Sequence, residues 1–538
     1  MSRQTQKRIA LLKAEWGKPK EEAFNYNLIE EYFSLKPSGE SPYQLKDRAV
    51  EDLDFLSFFE FIDRTNSAIG QQYLYYKLRQ LNTTPAHLEQ LEERIQHYSK
   101  EEEKRIVLQL ALIKINQKSD YYLPFIIHGK LPEKMKHLWV IRLLQLLFFA
   151  GILATSINTA FLLPLILIFG INAFIHYRAK GEIGFFTSVF SRLGAVTHIT
   201  KKILPEAGLS SSEEAVYRAN IKGLEKIVNK INVLRTDRLQ DNELGALLWY
   251  VLELLKVVTL SEIITFNSVV DEIKAAREPL DDFFVLIGEL DLALSVAALR
   301  VGLPHYSTPT FAPPQKEIEV TSLYHPLVKD CVANDLRLIN SSLLLTGSNM
   351  SGKSTFIKAI NLNIIAAQAL NTSFSQSCRI PFLGLATSIR IADDLLMDKS
   401  YYMEEVNAIG SLIELSKQQN IQILFTIDEV FKGTNTIERV SAAKAILEYL
   451  NQGQHIVLVS THDIELTQLL SQAYDLYYFQ ERIENETLSF DYQLRKGALK
   501  KKNAIKILEI AGYPSSIISE AKRLAEELEK EKTQSRLE

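Results

Sequence analysis

The octapeptide GSNMSGKS at residues 347–354 constrains the fold of this chain more than any other feature of its sequence. It fits the pattern G-x-x-x-x-G-K-S at every fixed position, with an apolar run (343–345) before it and a helical pattern (355–370) after it. Glycines let the backbone turn so that successive N–H groups converge on phosphate oxygens at the positive end of a helix. The octapeptide therefore predicts a phosphate-binding loop in an α/β fold.

The chemistry of this loop predicts ATP and Mg²⁺ as its ligands. The ammonium group of Lys353 can reach the β and γ phosphates, and the hydroxyl of Ser354 can coordinate Mg²⁺. Lys353 is also a predicted catalytic residue, since it contacts the phosphates that react. The residues predicted to bind the nucleotide along this segment are Gly347, Ser348, Asn349, Met350, Ser351, Gly352, Lys353, Ser354 and Thr355.

Short β-type runs alternate with helical patterns after the prolines at 304–314, in the order LRLI, SLLLT, ILFTID and IVLVST. This alternation is typical of a parallel sheet flanked by helices. The third run ends in Asp428 and Glu429, which are predicted to organise Mg²⁺ and to orient or deprotonate the attacking water, respectively. His462 ends the fourth run and is predicted to contact the γ-phosphate side. The alternative for His462 is a structural role alone.

Two apolar runs, 138–154 and 160–175, are separated by an uncharged link. Each run is near the ~17–25 residues that a helix needs to cross a hydrocarbon core. Lysines at 134 and 136 and basic residues at 178 and 180 flank the pair, as expected when both ends lie on the cytoplasmic side. The sequence therefore predicts a transmembrane helical hairpin over 138–175. The alternative is a pair of buried helices in an all-α domain.

The remaining sequence before residue 304 is mainly helical in pattern, with apolar residues at three- and four-residue spacing over 55–81, 87–99 and 185–300. Long helices of this kind suit an elongated lever. The predicted fold is an α/β P-loop ATPase domain with a parallel-rich sheet, joined to an elongated all-α core or lever domain that carries the hairpin. The predicted location is the cell membrane with both domains on the cytoplasmic side, or the cytoplasm if the apolar runs are buried.

Composition limits the possible partners without choosing one. The formal net charge of −4 gives no general support for a polyanion partner, although a local basic patch can suffice. A basic run near the C-terminus could contact DNA phosphates, lie on anionic lipid or be solvated. Its residues are Lys496, Lys500, Lys501, Lys502 and Lys506. The two cysteines of the chain cannot form a disulfide framework.

Four segments, TGSNMSGKST, ATSIRIADDLLMDKSYYMEEVNAI, LFTIDEVFKGTNTIE and STHDIELTQL, resemble the ATPase domain of the MutS family of DNA mismatch-repair proteins. Upstream, FIDRTNSAIGQQYLYYKLR is similar to the start of the family's helical core. Downstream, AIKILEIAGYPSSIISEAKRLAEELEK is similar to its C-terminal dimerisation element. The resemblance covers most of residues 50–530. It implies a polar segment (1–48), a helical core and lever (49–310), an ATPase domain (311–490) and a dimerisation element (491–538).

The resemblance also implies composite ATP sites in a homodimer that opens and closes a DNA clamp. Within one subunit it assigns phosphate and metal contacts to Asn349, Lys353, Ser354, Thr355 and Asp428, the catalytic carboxylate to Glu429, and the sensor to His462. Ser400 and Glu405 match the signature segment that caps the γ-phosphate of the opposite subunit, and residues 433–436 would lie at the same interface.

This chain departs from the family in ways that argue against direct reading of mismatches. The helical core starts near residue 50, so no mismatch-recognition or connector domain fits before it. Phe58-Phe59-Glu60 matches the family's Phe-x-Glu wedge, but its apolar helical setting predicts a packing role. Cys331 stands where the family has an aromatic residue beside the base. The predicted function is an ATP-dependent, membrane-tethered DNA clamp, and the alternative is a membrane ATPase that grips a protein or lipid.

Overall fold

The computed structural model describes residues 3–37, 43–81, 84–131, 133, 138–234, 243–348, 350–389, 401–418, 421–431, 435–484, 487–499 and 504–534. By its internal contacts the chain divides into two units. The helical unit comprises Met1–Gly39, Ile62–Lys77 and Leu91–Gly302, and the sheet unit comprises Glu40–Phe61, Leu78–Gln90 and Leu303–Glu538.

The helices in chain order are α1 (Arg3–Glu15), α2 (Tyr26–Ile29), α3 (Glu31–Leu35), α4 (Asp47–Asp52), α5 (Phe55–Ile62), α6 (Ala68–Arg79), α7 (Pro85–Lys100), α8 (Glu102–Leu112), α9 (Leu123–Ile127), α10 (Leu138–Ile157), α11 (Leu162–Ile203), α12 (Ser211–Leu234), α13 (Glu243–Thr259), α14 (Ser261–Ala275), α15 (Arg277–Gly302), α16 (Lys353–Leu370), α17 (Tyr401–Ser416), α18 (Thr436–Leu450), α19 (Ile464–Leu469), α20 (Ala504–Ile510) and α21 (Ser515–Gln534). Short 3₁₀ turns cover Ile113–Ile115, Lys118–Tyr122, Thr159–Phe161 and Leu204–Glu206.

The strands are β1 (Tyr43–Gln44), β2 (Gln80–Leu81), β3 (Thr310–Phe311), β4 (Glu317–Leu323), β5 (Asn334–Ile339), β6 (Ser342–Thr346), β7 (Ser377–Ile380), β8 (Gly384–Ser388), β9 (Ile423–Asp428), β10 (Ile456–Thr461), β11 (Tyr474–Tyr478), β12 (Glu481–Glu484), β13 (Thr487–Phe490) and β14 (Arg495–Lys496). The smaller sheets pair β1 with β2 and β12 with β13, and a third has the order β3-β7-β4-β5.

The largest sheet of the sheet unit has the strand order β14-β11-β6-β10-β9-β8. Neighbours from β11 to β8 run parallel, and β14 is an antiparallel edge strand. β6 and β10 are buried along their full length, which accounts for their continuous apolar sequences. Their register sets Thr346 opposite Thr461, so the carboxyl ends of both strands meet at the edge where residues 347–352 leave the sheet.

An N-terminal segment belongs to the sheet unit. Asp52 on α4 accepts hydrogen bonds from Thr387 Oγ1 (2.7 Å) and from the backbone N–H of Ile389 (3.0 Å). The resemblance implies one helical domain over residues 49–310, whereas the structure assigns residues 40–61 and 78–90 to the sheet unit. The difference arises because Asp52 and Thr387 are 335 positions apart, and local periodicity does not report such contacts.

The Phe58-Phe59-Glu60 segment packs within the sheet unit. Phe58 and Phe59 are fully buried on α5, and the Phe58 ring meets the Phe374 ring edge-on with centroids 6.0 Å apart. This arrangement suits the packing role expected for the segment.

The helical pattern predicted over 55–81 forms two helices, α5 and α6, and a helix cap marks the start of the second. Ser67 precedes α6, and its hydroxyl accepts a hydrogen bond from the N–H of Gly70 (2.9 Å), as an N-cap residue does. In the helical unit, the buried Asp291 of α15 accepts from the backbone N–H groups of Asn66 (2.8 Å) and Ser67 (2.9 Å). These bonds satisfy donors that a helix start leaves without partners, so a break is stable there.

The two apolar runs form long helices in the helical unit. Among the described residues, Leu138–Ile157 and Thr159–Gly181 are long and apolar enough to cross a membrane, each with a mean hydropathy of 2.0 and only 11% of its apolar window buried. The second helix does not end near the predicted residue 175, because α11 is 42 residues long and ends at Ile203. The flanking lysines at 134 and 136 lie outside the described residues.

Candidate functional site

The glycine loop, residues 347–352, joins the central strand β6 to helix α16; of its residues, Asn349 lies outside the described ones. Gly347 has φ +152° and Gly352 has φ +99°, conformations that favour glycine. A Cβ at Gly347 would lie 2.6 Å from Ser351 Oγ and 2.9 Å from the carbonyl oxygen of Phe479. The loop therefore has no room for a side chain at Gly347.

The ammonium group of Lys353 lies inside this loop. Lys353 Nζ donates hydrogen bonds to the carbonyl oxygens of Gly347 (2.8 Å) and Ser348 (2.9 Å), and the side chain is buried. Ser351 Oγ donates to the same Ser348 carbonyl at 2.7 Å, which tightens the turn. Met350 is 72% exposed, so its side chain does not contribute to the interior of the loop. The loop thus places one buried cation at the N-terminus of α16, where backbone N–H groups also favour an anion.

Oxygen ligands for a metal ion converge beside the loop. Ser354 Oγ donates to Asp428 Oδ2 at 2.6 Å, and Ser460 Oγ donates to Asp428 Oδ1. Asp428 ends β9, Ser460 lies near the end of the adjacent β10, and Ser354 is in the first turn of α16. Hydroxyl and carboxylate oxygens are the ligands that Mg²⁺ prefers, so Ser354 and Asp428 fit that ion. Ser460 was not expected from the sequence, which offers no signal that distinguishes it from other strand serines.

Glu429 is directed toward His462 by an unusual backbone conformation. Its φ is +64°, and its N–H donates to the carbonyl oxygen of Ser460 at 2.9 Å. Glu429 Oε1 lies 3.0 Å from His462 Nδ1. The hydrogen bond to Glu429 raises the pKa of His462, although partial burial acts in the opposite direction. Two residues that the sequence placed on different strands are therefore one hydrogen-bonded pair.

An arginine fork stabilises the segment next to His462. The Arg439 guanidinium of α18 donates to both carboxylate oxygens of Asp463, at 2.9 and 2.7 Å. Two parallel bonds fix the orientation of Asp463. The sequence does not predict this pair, because a separation of 24 positions gives no local pattern.

A cavity of about 330 Å³ opens beside Gly352 and Thr355. Its wall includes Cys331, Phe479 and Tyr492. Asn334 holds the segment that carries Tyr492, because its Nδ2 donates to the Tyr492 carbonyl oxygen (3.0 Å) while its Oδ1 accepts from the backbone N–H of Leu494 (2.7 Å). The family resemblance predicts Cys331 at this position, but the sequence does not predict Tyr492.

The residues expected to serve a second subunit are only partly described. Ser400 and residues 433–434 lie outside the described residues. Glu405 lies on α17 and is 2% exposed, so in the single chain its carboxylate is not displayed at the surface. Asn435 caps α18 by accepting from the N–H of Ile437 at 3.0 Å.

The sheet unit and its site define a class of protein. A chain with a largely parallel sheet, a glycine loop after the central strand of that sheet and a separate helical unit is compatible with an α/β ATPase domain and a helical region.

Comparison with known proteins agrees with this class. The family model for MutS domain V matches residues 343–529. The DNA mismatch repair protein MutS of Bacillus subtilis (strain 168) is 33% identical over 282 residues, which cover 49% of this chain and 32% of that protein. MutS of Petrotoga mobilis (strain DSM 10674 / SJ95) is 30% identical over 274 residues, which cover 49% of this chain and 33% of that protein. MutS of Thermus aquaticus is 29% identical over 265 residues, which cover 48% of this chain and 32% of that protein.

Residues 343–529 of this chain therefore belong to the MutS domain V family, and about half of the chain is similar to MutS proteins. The chain spans about a third of the length of the curated relatives that it matches.

Proposed function

We propose that this chain is a P-loop ATPase that binds ATP with Mg²⁺ and hydrolyses it to ADP and phosphate. The observation that carries the proposal is the hydrogen bond between Ser354 and Asp428 beside the buried Lys353. It brings a phosphate loop and an acidic strand end together, although they are 74 positions apart in the sequence. These are the cation and the metal ligands that phosphoryl transfer to water requires.

Binding of the triphosphate would change the partners of Lys353. Its ammonium would exchange the carbonyl oxygens of Gly347 and Ser348 for phosphate oxygens, which are stronger acceptors because they are charged. Ser354 and Asp428 would hold Mg²⁺, which neutralises charge on the phosphates when bound. The N–H groups at the start of α16 would stabilise the same negative charge.

Glu429 is placed to act on the attacking water. Its carboxylate is oriented on one side by the contact with His462 and positioned by its backbone hydrogen bond to Ser460. In this arrangement Glu429 accepts a proton from water or aligns it, and His462 restrains the carboxylate and lies on the γ-phosphate side. The bonds between Arg439 and Asp463 stabilise the segment that carries His462.

The cavity beside Gly352 is the proposed site for the base. Tyr492 supplies an aromatic face there, which compensates for Cys331 at the position where the family resemblance leads us to expect an aromatic residue. Stacking on an aromatic ring suits a purine, and the loop next to it fixes the phosphates.

We further propose that the chain acts as a homodimer with composite ATP sites that open and close a clamp on DNA. The relatives it matches are named as DNA mismatch repair proteins, and this supports a DNA partner. The buried packing of Phe58 and Phe59 argues against a wedge role for that segment.

The proposed location is a membrane, with the ATPase unit on the cytoplasmic side. The support is the length, apolar composition and exposure of the spans Leu138–Ile157 and Thr159–Gly181. Leu153 and Leu163, for example, are 70% and 77% exposed. Burying such side chains in hydrocarbon would remove them from water.

The test is ATP hydrolysis and DNA binding by the purified full chain in detergent, with Lys353→Ala as the nucleotide-free control. We expect binding of labelled ATP that is lost in Lys353→Ala, and hydrolysis stimulated by duplex, mismatched or branched DNA in a salt-sensitive manner. Absence of ATP binding would overturn the ATPase proposal. ATP hydrolysis with no response to any of these DNAs would overturn the clamp proposal and favour a protein or lipid partner.

A further inference from the structure

Helix α13 carries an apolar stripe that faces outward. Leu247, Tyr250, Val251, Leu254 and Leu255 are between 49% and 67% exposed. Their three- and four-residue spacing places them on one side of the helix. Helices of water-soluble domains turn such a stripe toward a core, so its exposure calls for an apolar environment.

Two charged residues of α13 lie on the side opposite the stripe. Glu253 and Lys256 are buried to 7% and 9% exposure, and Lys256 Nζ lies 2.7 Å from Glu262 Oε1 of α14. Glu253 forms an ion pair with Lys180 and lies 3.4 Å from His176 Nε2, both on α11. The charges of Glu253 and Lys256 are therefore matched within the protein, and Leu254 and Leu255 remain on the outward side.

The C-terminal carbonyl groups of α13 are capped by the two candidate spans. Asn172 Nδ2 of α11 donates to the carbonyl oxygen of Val258 at 3.2 Å, and Gln145 Nε2 of α10 donates to that of Thr259. The last carbonyls of a helix normally bond to water or to a following turn. Side-chain amides from neighbouring helices are the substitutes required where water is absent. Leu260, which links α13 to α14, is fully buried.

These contacts determine how deep in a hydrocarbon core the C-terminal end of α13 would lie. At about 1.5 Å per residue, Gln145 lies roughly 18 Å along α10 from Ile157, inside the ~30 Å of a hydrocarbon core. Because Asn172 contacts Val258 and Lys180 contacts Glu253, α13 runs antiparallel to α11. The end of α13 at Thr259 is thus the deeper end.

We propose that α13 is a third membrane-inserted element, whose C-terminal half enters lipid beside the base of the hairpin. Leu254 and Leu255 would contact acyl chains, and Leu247 and Tyr250 would lie at the headgroup boundary, where tyrosine is favoured. This assignment rests on the proposed membrane location and on the hydrogen bonds that join α13 to both exposed spans. The occupant of the stripe is lipid.

The test uses the full chain in phosphatidylcholine liposomes, with one fluorophore-labelled cysteine at a time in a Cys331→Ser, Cys378→Ser background. The labelled variants are Leu255→Cys and Leu247→Cys, with Leu153→Cys as the hairpin control and Val216→Cys of α12, 58% exposed, as the aqueous control. The fluorescence of each label is measured with three quenchers. The first is a lipid with a nitroxide deep in its acyl chain, the second is a lipid with a nitroxide at its headgroup, and the third is iodide in the aqueous phase.

We expect the labels at 255 and 153 to behave alike, with strong quenching by the deep nitroxide and no quenching by iodide. The label at 247 should respond more to the headgroup nitroxide, and the label at 216 to iodide alone. Lipid quenching at 153 with iodide quenching at 255 would overturn the proposal for α13 and leave the hairpin standing. Iodide quenching at both positions would overturn the membrane location itself. A label at 255 that is quenched neither by the nitroxide lipids nor by iodide would show that protein covers the stripe, which also overturns the proposal.

Discussion

Glu429 Oε1 and His462 Nδ1 lie 3.0 Å apart at the carboxyl ends of two adjacent strands, β9 and β10. The left-handed backbone at Glu429 (φ +64°) sets this contact, and a non-glycine residue adopts that conformation only at some cost in free energy. The same residue that carries the strain is the proposed partner of the attacking water. The strain therefore positions a carboxylate before the substrate binds.

Glu429→Gln is expected to keep ATP binding and to slow hydrolysis by about 10²–10⁴-fold, since the amide cannot accept the proton of water. Single-turnover hydrolysis and equilibrium binding of labelled ATP measure the two effects separately. Glu448→Gln, on the outer face of α18 and paired with Lys444, is the matched control and should hydrolyse ATP at the wild-type rate. Normal turnover in Glu429→Gln would remove Glu429 from the proposed mechanism.

Gly347→Ala is expected to abolish nucleotide binding while most of the fold remains. The added methyl would meet Ser351 Oγ and the Phe479 carbonyl, and the left-handed backbone adds strain of about 1–3 kcal/mol. Nucleotide titration and circular dichroism give the two readouts. Gly410→Ala on α17, where no atom lies within 4 Å of the new methyl, should bind nucleotide as the wild type does. Equal binding by both variants would contradict the assigned tightness of the loop.

Tyr492→Ala is expected to weaken ATP binding by about 1–3 kcal/mol, the range found when a base loses a stacking partner. Tyr492→Phe should retain most of the affinity, because the ring face is kept. Binding of inorganic tripolyphosphate, which has no base, should be the same in all three proteins. An equal loss for ATP and tripolyphosphate would mean that Tyr492 supports the loop and not the base.

Folding stability of the sheet unit is expected to fall in acid because of His325. Burial, assisted by nearby Lys358, lowers the pKa of His325 to about 4. Between about pH 6.5 and pH 4, His325 binds a proton in the unfolded chain but not in the folded chain. The contribution of neutral His325 to the free energy of unfolding is therefore complete above about pH 6.5 and is lost as the pH falls toward 4. Between pH 7.5 and pH 5 the loss is about 2 kcal/mol.

Urea unfolding at the two pH values measures this loss. His325→Asn is the comparison variant, because an asparagine oxygen can accept the Leu327 N–H that His325 Nδ1 accepts now (3.3 Å) but does not titrate. Its urea midpoint should shift less between the two pH values than that of the wild type. Identical shifts would assign the acid sensitivity to other groups.

Most of the candidate site could be read from local sequence. The spacing of Gly347, Gly352 and Lys353 indicates a loop after a strand, and the acidic pair at 428–429 indicates a strand end. Each signal lies within a few neighbouring residues, because backbone conformation and a short-range motif determine it. The sequence pattern does not reveal the helix start at Ser67, because the apolar spacing continues across it.

The sequence by itself determined the glycine loop, the four strands β5, β6, β9 and β10 of the sheet unit and the two apolar helices, since all of these follow from neighbouring side chains and backbone preferences. Only the tertiary structure decided that Ser460 supports Asp428, that Tyr492 completes the cavity beside Cys331 and that Gln145 and Asn172 cap α13. Asn334 and the Tyr492 carbonyl oxygen that it binds are 158 positions apart. Such pairs form when packing brings distant segments together, so no local pattern encodes them.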